Sequence, residues 1–127
     1  MSFKIDKETR EKLISLLENV ANDIKLDAIA IVTRNGENIA SWASKDVDPD
    51  LLSAISAAIL ALGVQTTEKL DKGELWDVLV RGSHGYVVMA KAGEELLLIG
   101  SGKFYSNLGL VMRILRGAAK NIGDILE

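Results

Sequence analysis

The feature that most constrains this chain is the run Leu51–Val64, where eleven of fourteen residues are apolar and only Ser53, Ser56 and Gly63 interrupt them. Asp48-Pro49-Asp50 opens the run as a helix: an aspartate N-cap, a proline at the first helical position where no amide donor is missed, and an acid in the first turn. A surface helix ordinarily sets an apolar stripe against a polar face. Here there is no wholly polar face, only the narrow ridge of Ser53, Ser56 and Gly63. A domain of 127 residues has little material to wrap such a helix completely. Left bare, its surface would exceed the patches tolerated on monomers, so burial against a partner is the economical explanation. A symmetric homodimer is the commonest form of such a partnership. The fourteen-residue run falls short of the ~20 residues that cross a bilayer, so no membrane insertion is expected.

The rest of the chain supplies a sheet and two further helices. Asp6 and Glu8 suit a helix start, and Leu13, Ile14, Leu16, Leu17, Val20, Ala21 and Ile24 repeat at helical spacing after them. Ala28–Val32 is continuously apolar and β-branched, which predicts a strand buried on both faces. Asn35-Gly36 predicts a two-residue hairpin turn with positive φ, returning the chain as a strand near Glu37–Ala43. A meander follows over Leu75–Arg81, Tyr86–Lys91 and Leu96–Ile99, the first strand nearer an edge because polar residues alternate through it, the last central. Leu108, Val111, Met112, Leu115, Ala119, Ile122 and Leu126 mark a third helix. The expected architecture is one α/β domain over residues 1–127 with helices on both sheet faces and no linker or repeat.

Composition removes several function classes. Eighteen acidic against fifteen basic residues, a net charge of −3, offer a nucleic acid no long-range attraction. With no cysteine there is no disulfide, thiolate nucleophile or cysteine-held metal. The mixed, charged start Met1-Ser2-Phe3-Lys4-Ile5-Asp6-Lys7-Glu8 lacks a signal-peptide pattern, so a cytoplasmic location is expected.

Candidate chemistry is sparse. His84 stands alone in a glycine-flanked turn, and no serine sits in a Gly-x-Ser-x-Gly elbow. Gly100-Ser101-Gly102-Lys103 invites a phosphate-loop reading, but Leu97 stands where that motif needs a glycine and Phe104 where it needs Ser or Thr. A flexible strand-to-helix connection accounts for those glycines more simply. Arg113, Arg116 and Lys120 form a basic helix face best read as solvated, and Trp42 and Trp76 suit either a core or an interface. No catalytic residue, cofactor or metal site is expected.

Two segments carry a family resemblance. Leu26-Asp27-Ala28-Ile29-Ala30-Ile31-Val32-Thr33-Arg34-Asn35-Gly36-Glu37-Asn38-Ile39-Ala40 looks like the opening hairpin, and Ser106-Asn107-Leu108-Gly109-Leu110-Val111 like the last-helix start, of the roadblock/dynein light chain family. The resemblance implies a five-stranded antiparallel sheet in order 2-1-5-4-3, with helix two on one face and helices one and three on the other. It also implies dimers formed through helix two and the first meander strand, here Leu60, Val64, Leu75, Trp76, Asp77 and Val78. Members are similar in binding or regulating small Ras-like GTPases or in serving as subunits of motor and signalling assemblies. The partners implied are a second copy or a roadblock paralogue, and a small Ras-like GTPase docked on the paired helices, with Ser53, Ser56, Leu60 and Gln65 as candidate surface positions. Such a module stimulates a GTPase by repositioning that enzyme's own groups; an inserted arginine from Arg81, Arg113 or Arg116 has no local signature. A structural subunit that only tethers, and a small-molecule sensor, are the alternative readings.

Overall fold

The structure, a computed structural model, describes residues 4–103 and 107–127; residues 1–3 of the amino terminus, Phe104 of the phosphate-loop comparison and Ser106 of the last-helix segment lie outside them. The elements run α1 (Lys7–Ile24), β1 (Leu26–Thr33), β2 (Asn38–Ala43), α2 (Pro49–Lys69), β3 (Asp77–Gly82), β4 (Gly85–Lys91), β5 (Leu96–Gly102) and α3 (Leu108–Leu126). The sheet is antiparallel in order β2-β1-β5-β4-β3.

The two apolar strands are central because both of their faces are covered. One core layer joins Ile29 and Ile31 of β1, Leu96 and Leu98 of β5 and Val88 of β4 to Leu13, Leu17 and Ala21 of α1 and Leu115, Ala119 and Ile122 of α3. The other joins Ala28, Ala30, Val32, Leu97 and Ile99 to Leu52 and Leu60 of α2, with Met89 and Leu75 beside them. Alternate side chains of one strand thus enter opposite cores, and every position is apolar.

Helix ends follow their local chemistry. Asp6 accepts the Thr9 amide at 2.7 Å, and α1 stops at Lys25, whose φ of 58° directs its amide to the Ala21 carbonyl. Asp48 caps α2 by accepting the Asp50 amide at 2.9 Å.

Three expectations change. The first hairpin is not closed by two positive-φ residues. Thr33 and Glu37 close a three-residue loop in which Gly36, at φ 89°, alone is left-handed. Its tip lies on α2, where an added Cβ would meet the Ser53 carbonyl oxygen at 3.1 Å. The third strand begins at Asp77, not Leu75, leaving Leu75 and Trp76 in the connection from α2. Finally, α2 runs five residues past Val64 to Lys69, so it is 21 residues long. By length and composition alone it could cross a membrane, but Leu52, Ser53, Ser56 and Leu60 are committed to the sheet.

The glycines before α3 also have a structural account. Gly100 and Gly102 lie inside β5, not in a flexible connection. A Cβ on Gly100 would meet Leu26 at 2.8 Å, and one on Gly102 the Tyr86 ring at 2.6 Å. These glycines make room for the Leu26 and Tyr86 side chains.

Candidate protein-binding face

Burial of α2 does not follow side-chain size: Leu52 and Leu60 are buried, but so are two serines. Ser53 is 2% exposed and Ser56 is fully buried, their hydroxyls donating to the Pro49 carbonyl at 2.8 Å and the Ser53 carbonyl at 2.5 Å. Bonded within their own helix, they approach the sheet without an unsatisfied polar group. Leu60 is buried beside them. The structure therefore corrects Ser53, Ser56 and Leu60 as surface positions for a partner: all three are buried, Leu60 in the layer with Ala28 and Ala30, and the Ser53 carbonyl lies against the Gly36 turn. Gln65 remains exposed, on the solvent side of α2.

What α2 turns outward is apolar. Leu51 is 59% exposed, Ile55 43% and Leu62 70%, and Ala54, Ala58 and Ala61 lie exposed among them at helical spacing. The alanines keep this ridge low enough for another helix to approach. The buried residues of α2 are Leu52, Ser53, Ser56 and Leu60, and the rest of the helix is half-buried or exposed.

The face continues onto β3, an edge of the sheet. Val78 packs toward α2, where a Cβ on Gly63 would meet it at 3.3 Å, while Leu79 and Val80 are 41% and 49% exposed. Between α2 and β3 runs an apolar cleft of about 310 Å³ lined by Ile59, Leu62, Gly63, Leu75, Val78 and Val80. Leu75 is buried at its floor and Trp76, 74% exposed, stands beside it. The residues named for pairing thus fall together: Val64 and Val78 half-buried, Trp76 open, Asp77 held by Arg116 at 3.5 Å. The sequence pointed to the Leu51–Val64 run as excess apolar surface but did not single out Leu51, Ile55, Leu62, Leu79 and Val80, which the structure shows exposed.

Other candidates resolve differently. His84 is exposed in the β3–β4 turn. Arg116 and Lys120 are engaged by Asp77 and Asp124, and Arg113 is exposed. Trp42 is half-buried against the α1–α3 layer. A shallow depression of about 690 Å³ along α1 is rimmed by Glu8, Glu11, Lys12 and Asp23 and is open to solvent. Among the described residues no three His, Asp or Glu side chains are placed to hold a metal ion.

A sheet layered between helices leaves one helix face and one strand edge apolar and open, a surface of the kind that marks interaction sites. The Roadblock/LC7 domain family model matches residues 11–100, and the chain belongs to that family. An uncharacterised protein of Methanocaldococcus jannaschii is 30% identical over 92 residues, covering 72% of this chain and 80% of that protein. An MglB structure with a tetrameric arrangement superposes with a TM-score of 0.88 at 19% identity, covering 98% of this chain and 95% of the other. The gliding protein MglB from Thermus thermophilus superposes at 0.87 with 20% identity, covering 98% and 96%. These structures share the fold through α3, beyond the residues that the family model matches.

Proposed function

We propose that this chain is a single-domain, non-enzymatic, cytoplasmic regulator that pairs with a second copy through α2 and β3. On the paired helices it binds a small Ras-like GTPase and alters that GTPase's nucleotide cycle or location. The observation that carries the reading is the exposed apolar face of Leu51, Ile55 and Leu62 continuing onto Leu79 and Val80. A GTPase is the partner class that family membership suggests.

The test is single-turnover GTP hydrolysis by small GTPases of the same genome, with and without the full chain, beside a direct binding measurement. Faster hydrolysis supports a regulator. Binding without acceleration supports the tethering alternative, and no binding to any of them overturns the GTPase reading. Gln65→Glu is expected to weaken binding while leaving the dimer mass unchanged, because Gln65 is exposed on α2.

A further inference from the structure

Two glycines set the end of α3 directly on the β4–β5 turn. A Cβ on Gly123 would meet the Gly93 amide nitrogen at 3.1 Å and the Ala92 carbonyl carbon at 3.2 Å, so helix and turn lie together with no side chain between them. Gly93 takes a φ of 91°, and the place where its own Cβ would stand is filled by the Glu127 carboxylate, whose Cδ lies 2.7 Å from that point. Glu127 follows Gly123 at helical spacing, its amide donating to the Gly123 carbonyl at 2.8 Å. A carboxylate at a helix C-terminus opposes the macrodipole, so α3 itself gains nothing from an acid there.

The gain lies in the turn. Glu127 Oε2 accepts the Glu94 amide at 2.9 Å and Oε1 the Glu95 amide at 3.0 Å. Successive amides converging on one anion form a backbone nest. From the other side, Arg34 Nη1 donates to the Glu94 carbonyl at 3.1 Å. The Glu94 carbonyl and the Glu95 amide are the two ends of one peptide group. That group therefore lies between a cation at its oxygen and an anion at its N–H, and each charge polarises it in the sense that strengthens the other's hydrogen bond. Arg34 belongs to the β1–β2 loop, where the Gly36 amide donates to the Thr33 carbonyl at 2.9 Å and the tip lies against the Ser53 carbonyl of α2.

We propose that Glu127 and Arg34 form a latch through the Glu94–Glu95 peptide, by which the end of α3 fixes the β1–β2 tip against α2. The latch is a conformational device of the single chain and needs neither a second copy nor a docked partner. Loss of either charge loosens the β4–β5 turn and the hairpin tip together, and with them the support of α2 at Ser53. The two charges act as one unit because a single peptide carries both bonds.

The test is amide exchange of the full chain, followed residue by residue by NMR at one protein concentration. Glu127→Gln keeps the size of the side chain and removes its charge and one acceptor oxygen. It is expected to speed exchange at Glu94 and Glu95 about tenfold and at Gly36 about threefold. The Ala92 amide, bonded to the Leu96 carbonyl at 2.8 Å in the same hairpin, should not change. Arg34→Gln should also speed the Glu95 amide, although Arg34 bonds only the carbonyl at the other end of that peptide. In the double variant Arg34→Gln/Glu127→Gln, exchange at Glu95 should be no more than about twofold faster than in Glu127→Gln alone. Single effects that multiply in the double variant would overturn the coupling, because independent sites are additive in free energy. Exchange at Glu94 and Glu95 within about twofold of the wild type in Glu127→Gln would overturn the latch itself. So would an unmoved Gly36 amide, or an Ala92 amide that quickens with the rest, which marks opening of the whole hairpin instead.

Discussion

Removing Leu62 tests the exposed face at the point where it has most to lose. The side chain is 70% exposed in the isolated chain, so its removal leaves the monomer core untouched. Fully burying a leucine contributes about 1.5–3 kcal/mol, so covering the exposed fraction in a dimer is worth about 1–2 kcal/mol per copy. A two-fold interface counts the residue twice, and the Cβ retained by alanine trims the total to about 2–3 kcal/mol. At about 1.4 kcal/mol per factor of ten, Leu62→Ala should raise the dimer dissociation constant about 30- to 150-fold. Sedimentation equilibrium over a concentration series measures that constant. Urea unfolding at a concentration where both proteins are monomeric should differ by less than about 0.5 kcal/mol. A dissociation constant that moves less than threefold, with the fold intact, would refute the burial of Leu62 in the interface. A large loss of monomer stability would refute its placement on the outer face.

Leu60→Ala, on the buried side of the same helix, should cost about 2–5 kcal/mol in chemical denaturation, because it opens a cavity under α2. The Asp6 carboxyl is held below its ordinary 3.8, first by the backbone amide of Thr9, so its contribution to α1 is present above pH 3.8 and lost as pH falls through the depressed value. Asp6→Ala should lower the melting temperature at neutral pH more than Asp6→Asn, which still caps, and both should flatten the acid limb of a melting-temperature profile. Tyr86 is pushed above its ordinary 10.0 first by burial and then by the charge of Asp27, so stability is full below pH 10 and declines as pH rises through the raised value. Tyr86→Phe should remove that alkaline slope from denaturation measured between about pH 9 and 12.

Much of the fold was legible because its elements obey simple periods. Ala28–Val32 and Leu96–Ile99 are apolar at every position, which only a strand covered on both faces needs, and they are the two central strands. The orientation of α2 was not legible. With eleven apolar residues in fourteen, the helix carries almost no preferred side of its own. In the structure Ser53 and Ser56 turn inward, the Ser53 carbonyl lying against Gly36, while Leu51, Ile55 and Leu62 turn outward. Reading every serine as exposed and every leucine as buried therefore fails on this helix, where Leu52 and Leu60 are buried and Leu51 and Leu62 are not. The Asn35-Gly36 pair marked the turn correctly, but a third loop residue lets Asn35 avoid a positive φ, a choice governed by strand register rather than by the dipeptide. Trp76 fell beside the strand rather than in it because β3 pairs regularly with β4 only from Asp77 onward.

The central claim is that α2 and the open edge of β3 are the face on which this chain pairs. Amide hydrogen exchange of the full chain, followed across a dilution series, tests it most directly. The amides of β3, Asp77–Gly82, are expected to become more protected as concentration rises while those of the β2 edge, Asn38–Ala43, do not change. Equal exchange at β3 over the whole series, or protection appearing on β2 instead, would contradict it.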